Sequence, residues 1–371
     1  MTDKIPDTMH AMVLTGHGGL EKIIFHRDWL VPVPESDEVL IRVAACGLNN
    51  TDVNTRSAWY SKGNDDATTG GVLSGAKGED GTWGGASVSF PRIQGADAVG
   101  TVVHVGEGAE KSLIGQRVMI DGWLRDWDDP LNRSKAGYFG SECDGGYAQY
   151  TKVSHRQVHP IDATMSDAEL ATFACSYVTA ENMLTRGAVA AGDTVLVTGA
   201  SGGVGSALIQ LANRRGAECI ALCSADKLDD VKAIGPSAVI DRACTDLGLA
   251  LLEATGKDSV DVVADVIGGA LWPQLISALV RGGRYTCAGA IAGPIVKFDL
   301  RTFYLRDLTF TGATVPPPGV FEDLVGYIER GEIRPLLAAT YPLEDFHAAQ
   351  QAFIDKRHVG NIVIEPFGSD K

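Results

Sequence analysis

The sequence predicts an α/β protein, with a β-rich first part followed by a parallel sheet flanked by helices. Three observations carry this reading. Residues Asp193–Gly205 read DTVLVTGASGGVG, an apolar run that ends in closely spaced glycines and passes into an alanine- and leucine-rich stretch of helical period. From Thr194 to Ala288 strands alternate with helices, the pattern of a parallel sheet that binds ligands at the carboxyl ends of its strands. Before Asp121 the runs are short, apolar or alternating, and punctuated by Gly, Asp and Asn, as in a partly closed β-barrel.

Composition narrows the function classes. The chain has 371 residues, 45% apolar and 21% charged, which is room for two domains and the make-up of a soluble globular protein. A net charge of −15 without any basic run argues against nucleic acid or an anionic membrane as partner. The seven cysteines are odd in number and scattered, so they read as reduced thiols rather than a disulfide framework. No stretch reaches the length of a membrane span, and MTDKIPDTMHAMVL lacks the apolar core of a secretory signal. A cytoplasmic location is expected.

Taken in order, the strands of the first part fall in MHAMVLTGHG, DEVLIRVAACGLN, DAVGTVVHVGEG and QRVMI. Two polar stretches interrupt them: Ser61–Pro91, and Asp121–Gly146 with its embedded Trp123, Trp127, Tyr138 and Phe139. Such loops serve as lids or binding loops, or form plain surface. If they close over a site, Trp59, Trp83, Trp123 and Trp127 point to a bulky apolar substrate. Ser166 then opens a helical pattern with acidic residues in its first turn. Strands follow at Thr194–Val197, Cys219–Cys223, Ala238–Ile240, Val260–Val266 and Arg284–Ala288. Helices lie near Val204–Arg215, Lys227–Ile234, Thr245–Thr255 and Leu271–Val280. Past Leu308 come further strand, the helix Phe321–Arg330, and a terminal helix and strand in YPLEDFHAAQQAFIDKRHVGNIVIEP.

A strand, a tight glycine turn and a helix make the setting of a dinucleotide cradle. There the backbone approaches a pyrophosphate and the free N–H groups of the helix face its charge. The spacing is not the standard one: Gly199, Gly203 and Gly205 give G-x-x-x-G-x-G, and Gly199, Gly202 and Gly205 give G-x-x-G-x-x-G.

Six motifs in order then resemble one family. They are GLNNTDVNTRSAWY at Gly47–Tyr60, GADAVGTVVHVG at Gly95–Gly106, GGYAQYTKV at Gly145–Val153, GDTVLVTGASGGVG, GGRYTCAGAIAG at Gly282–Gly293 and the terminal HVGNIVIE. The chain resembles a medium-chain dehydrogenase/reductase, nearest the zinc-independent quinone-oxidoreductase and enoyl-reductase branch. The resemblance implies a GroES-like β-barrel catalytic domain over 1–160, a Rossmann doubly wound domain binding NADP over 161–312, and a segment 313–371 that completes the catalytic domain. It also implies a cleft between the domains where nicotinamide meets substrate. Pairing into a homodimer or a dimer-based homo-oligomer through the edge of the Rossmann sheet is implied too, with LTFTGATV at Leu308–Val315 as the edge strand.

Zinc is not expected. Asn49 stands at the family's first ligand position, Ala96 and Asp97 stand where it has His-Glu, and only Cys175 matches a ligand. Before Gly145 there is only Cys143 where a structural zinc lobe needs four cysteines. His104, His155 and His159 are isolated. Asn49, Asp52, Arg56 and Tyr60 match the family's N-x-x-D-x-x-x-R-x-x-x-Y, with Asn49 and Tyr60 expected to face substrate. Tyr60 is the candidate hydrogen-bond or proton donor; Asp52 and Arg56 are catalytic candidates too, with an ion pair that fixes the loop as the favoured reading. Asn54 stands where relatives often carry a second aromatic, and Thr51 where zinc enzymes place a relay hydroxyl.

For the cofactor, Thr179, Gly199, Ser201, Gly202, Gly203, Val204, Gly268 and Gly289 match binding positions. At the end of the second Rossmann strand stand Ser224 and Lys227, not a carboxylate, which favours NADPH over NADH, with Asp226 close by. Hydride transfer to a quinone or α,β-unsaturated carbonyl is the expected reaction. A dehydrogenase or lyase on another small polar substrate, and a non-catalytic NADP-binding protein, are the alternatives in the same fold.

Overall fold

The computed structural model describes residues 4–68, 81–82 and 87–368. It divides into two units: residues 1–64, 69–175 and 321–371, and residues 65–68 and 176–320. The first division falls inside a helix, and the second lies later than the sequence alone places it. Residues 161–175 belong to the first unit, where the backbone N–H of Cys175 donates to Asp97 Oδ1 at 2.6 Å.

In the first unit the strands are β1 (Thr8–Leu14), β2 (Ile23–Leu30), β3 (Glu38–Gly47), β4 (Arg92–Ile93), β5 (Asp97–Val105) and β6 (Arg117–Ile120), with helix α1 (Asn50–Arg56) after β3. A hairpin, β7 (Trp123–Leu124) and β8 (Gly137–Tyr138), leads to β9 (Tyr150–Ser154), β10 (Val158–Pro160) and the short helix α2 (Asp167–Leu170). β3 is apolar at nearly every position because it lies at the centre of its sheet. One edge pairs with β5, and the other is shared by β9 and the last strand of the chain. The helical pattern opening at Ser166 is broken in two. Ser166 caps α2, and the chain turns through Thr172, whose hydroxyl bonds Glu169 O, before α3 (Ala174–Arg186) begins.

The second unit holds β11 (Thr194–Val197), α4 (Gly203–Arg214), β12 (Glu218–Cys223), α5 (Leu228–Lys232), β13 (Ala238–Asp241) and α6 (Leu247–Thr255). It continues with β14 (Val260–Asp265), α7 (Trp272–Ser277), β15 (Leu279–Cys287), α8 (Leu300–Leu305) and β16 (Thr309–Gly312). All pairs are parallel, in the order β13-β12-β11-β14-β15-β16. This is the doubly wound order, with its switch point between β11 and β14. β15 begins five residues earlier than the sequence suggests, since it runs on through Gly282 and Gly283.

Helix α9 (Val320–Glu329) leads back to the first unit, which ends on β17 (Leu337–Pro342), α10 (Phe346–Asp355) and β18 (Asn361–Glu365). β18 pairs with Cys46 and Gly47 of β3, so the C-terminal segment completes the barrel sheet. Within the Ser61–Pro91 stretch, residues 69–80 and 83–86 lie outside the described residues. Trp83 and the reading of this stretch as a lid lie there too. None of the seven cysteines is in a disulfide.

Candidate active site

The motif carrying Asn49, Asp52, Arg56 and Tyr60 is helix α1 and the turn after it. Asn49 and Asp52 form a capping box, in which the Asn49 N–H donates to Asp52 Oδ2 at 2.8 Å. Asn49 Nδ2 donates to Asp97 Oδ2 at 3.0 Å. The residue is 6% exposed and its amide is committed to the protein, so the structure gives it a scaffolding place instead of the expected substrate-facing one. Asp52 is also taken up internally. The Tyr147 hydroxyl donates to its Oδ2 at 2.6 Å, and burial pushes its carboxyl up to about 6. Arg56 is fully buried and turns the other way: its Nη1 donates to Gly18 O at 2.7 Å, and Gly18 N donates back to Arg56 O at 2.9 Å. It feels Asp52 only at longer range, so the expected ion pair is not formed. Capping geometry and Tyr147 compete for the carboxylate and win.

Tyr60 is half-buried, on the turn that Ala58 closes with a left-handed φ of 56°. Its hydroxyl is hydrogen-bonded by the side chains of Thr51 and Asn54, and burial holds its pKa above the ordinary phenol value. Asn54 O also accepts from Trp59 N at 2.8 Å, so this residue pins the turn by backbone and side chain together. Thr51, Tyr60 and Cys175 keep some exposure.

Asp97 is the hub that sequence reading passed over as a non-ligand. It receives Asn49 Nδ2 and the Cys175 N–H, and thereby ties β5 to the start of α1 and to the first turn of α3, where a carboxylate is favoured. Burial pushes it up to about 7. Tyr138, on β8, hydrogen-bonds Cys175, and its ring lies 4.8 Å from that of Trp123. Trp127 sits under Arg156, with the guanidinium 5.7 Å from the ring centre. This donor set does not fit a zinc ion. The Asp97 oxygens are taken by two N–H donors, Asn49 offers an amide, and one thiol remains. Among the described residues no three His, Cys, Asp or Glu side chains gather as a metal site.

In the second unit β11 runs into Gly199 at φ 60°, and Gly202 opens α4. A Cβ on Gly205 would lie 2.1 Å from Gly199 O, so the helix start packs directly on the turn and only glycine fits. Ser201, Gly202, Gly203 and Val204 line this opening with some exposure, and no acidic side chain stands in the first turn. The ends of the neighbouring strands are tied by Asp265, fully buried and absent from the sequence-based candidates. It accepts from Thr198 Oγ1 at 2.6 Å, Tyr285 OH at 2.7 Å and Ile267 N at 2.8 Å, and from Gly268 N. Its signal was present: a carboxylate ends the apolar run VDVVAD at the ligand-binding edge of the sheet. Gly268 (φ 62°) and Gly289 follow on the adjoining loops, where a Cβ would meet Gly293 O and Val266 O at 2.9 Å. Thr179, half-exposed, is on α3.

At the end of β12 the Ser224 hydroxyl bonds the exposed Asp226. Lys227 is only 7% exposed and burial lowers its pKa. Arg242, just past β13, faces the same corner as Lys227 and Asp226. It is a second cation, fifteen positions further along the chain, that the sequence did not flag.

A glycine cradle at the switch point of a doubly wound sheet, together with a GroES-like barrel carrying a polar centre, defines a dinucleotide-dependent oxidoreductase. Residues 35–163 match the alcohol dehydrogenase GroES-like domain, and residues 203–330 match the zinc-binding dehydrogenase domain. A solved structure from Sinorhizobium meliloti 1021, provisionally named an alcohol dehydrogenase, is 46% identical with a TM-score of 0.89 over 97% of both chains. Acryloyl-coenzyme A reductase of Metallosphaera sedula is 26% identical over 96% of this chain and 99% of its own length. Quinone oxidoreductase of Rattus norvegicus is 25% identical over 93% and 94%. The chain belongs to the medium-chain dehydrogenase/reductase superfamily.

Proposed function

We propose that this enzyme is a zinc-independent, NADPH-dependent reductase of α,β-unsaturated carbonyls or quinones. The observation that carries the reading is the centre around Asp97. Where a metal-dependent relative would polarise an alcohol, Asp97 has its oxygens taken by Asn49 and Cys175, and the partly exposed Tyr60 phenol, which burial keeps protonated, is the donor suited to charge developing on a conjugated oxygen. Similarity to an acryloyl-coenzyme A reductase and a quinone oxidoreductase supports it.

The cradle at Gly199–Val204 would hold the pyrophosphate, and Lys227 with Arg242 the 2′-phosphate, where a carboxylate would repel it. NADPH, when bound, supplies the hydride. Tyr60 donates a hydrogen bond or proton to the acceptor, with Thr51 and Asn54 setting its direction. The free cysteines suit a reducing, cytoplasmic setting.

The test is NADPH oxidation over a panel of enones and quinones, with and without a metal chelator. Turnover that survives the chelator is expected. Loss of activity together with stoichiometric zinc would sink the metal-free mechanism. Lys227→Ala and Arg242→Ala should each weaken NADPH binding roughly tenfold and leave NADH binding nearly unchanged. Tighter binding of NADH by the native enzyme would reverse the cofactor assignment.

A further inference from the structure

We infer that the first unit carries a docking groove for an extended, basic segment of a partner protein, which adds to the outer edge of β9. None of the candidate active-site residues lines this groove, so the inference is independent of the reductase reading.

Among the described residues β9 pairs with β3 and with no other strand. The register sets Tyr150 opposite Arg42 and Lys152 opposite Leu40. Just past the strand His155 N donates to Asp37 O at 2.8 Å, so that pair is a hydrogen-bonded one. Bonded and unbonded pairs alternate along an antiparallel ladder. Thr151 and Val153 therefore bond β3, while Tyr150 and Lys152 turn their N–H and C=O groups away from it. β1 covers this edge only as far as Gln149, whose N–H donates to His10 O at 3.0 Å. Beyond that point lies a cavity of about 400 Å³, bounded by Met9 of β1, Trp29 and Leu30 of β2, and Arg92 of β4. All five residues of β9 line it, as they do when an edge and not one face of a strand looks into a gap.

Charge selects the occupant. Asp37, Glu38, Glu142 and Asp144 line the groove against two cations, Arg92 and Lys152. Both cations are already matched. Lys152 Nζ lies 2.7 Å from Glu38 Oε2, and Arg92 Nη1 lies 2.9 Å from Asp144 Oδ1. Asp37 and Glu142, both exposed, are left in excess. Leu30, 73% exposed, gives the groove an apolar lip. An extended segment with Lys or Arg at every second residue meets all of these features. Its main chain pairs with Tyr150 and Lys152, its cations meet the excess carboxylates, and its apolar residues rest on the lip. An acidic segment is repelled, and the net charge of −15 draws basic partners from a distance.

The experiment uses the full chain and two probes, acetyl-VKVKV-amide and acetyl-VEVEV-amide, titrated calorimetrically at low salt. The lysine probe should bind at least about 10-fold more tightly than the glutamate probe, and weaken as salt is added. When bound, it should slow hydrogen exchange at the Tyr150 and Lys152 main-chain N–H groups by about 10-fold or more. Asp37→Lys, a change at an exposed side chain, should weaken the lysine probe about 10-fold and leave the melting temperature nearly unchanged. No binding of the lysine probe, or equal binding of the two, overturns the inference. So does binding that leaves the exchange of Tyr150 and Lys152 untouched, or that Asp37→Lys does not weaken. Equally tight binding of 1,5-diaminopentane overturns it too, because the groove then takes a small cation and not a strand.

Discussion

Asp97 and Asp52 are both buried, at 1% and 3% exposure, yet both accept hydrogen bonds from neighbours. Burial outweighs those bonds and raises the two carboxyls to about 7 and about 6. In the unfolded chain they titrate near 3.9, as ordinary aspartates do. Between about pH 4 and 7 the folded chain thus binds more protons than the unfolded one. Their contribution to stability is complete below that window and is lost as pH rises through it. Urea unfolding should show stability falling from pH 5 to pH 8, with Asp97→Asn flattening the slope. A slope that the substitution leaves unchanged would remove Asp97 as its source. The same residues show why the site was only half legible. N-x-x-D at Asn49–Asp52 reads equally as a substrate-facing motif and as a helix start, and only the position of Asp97, 48 residues away, decides for the second. Tyr60 could be picked out because its motif is local. Tyr138 and Arg242 could not, because hairpin pairing and strand order bring them in from a distance.

At the scale of elements, the turn between β11 and α4 is the tightest demand the sequence makes. Gly205→Ala would drive a methyl group into Gly199 O, and the turn must open for the helix to start. NADPH binding, followed by calorimetric titration, should weaken at least about 10-fold, with a stability loss on the order of 1–3 kcal/mol from overpacking. Unchanged affinity would show that the turn does not hold the cofactor. This region was also the most legible. β11 has the bounds its apolar run suggests, and α4 starts one residue early, since period and glycine punctuation are local signals. The short strands β7 and β8, two residues each, carry no period to read. β2 escaped notice because its residues, IIFHRDWL, alternate poorly and lie on a sheet edge.

At the scale of the whole molecule, the Rossmann sheet ends on β16, an edge strand with no partner beyond it among the described residues. Beside it Leu300, Tyr304 and Leu305 on α8 are 67%, 61% and 56% exposed, an apolar face unusual for a solitary chain. We propose that a second copy covers this face. Sedimentation should give a dimer, and Tyr304→Glu with Leu305→Arg should shift it to monomer without loss of fold; a native monomer would end the proposal. The sequence supported the edge strand through its apolar run, but α8 carries no such mark, because exposure is a property of the assembled sheet. Asp265 has the last consequence. It clamps the ends of β11, β14 and β15 on one carboxylate, while Ser224, Lys227 and Arg242 stand apart at the ends of β12 and β13. On the proposed assignment of the 2′-phosphate to Lys227 and Arg242, holding the coenzyme and choosing it would be separable traits. Selection, or an engineer, can redraw the choosing corner and exchange one coenzyme pool for the other while the clamp stays as it is.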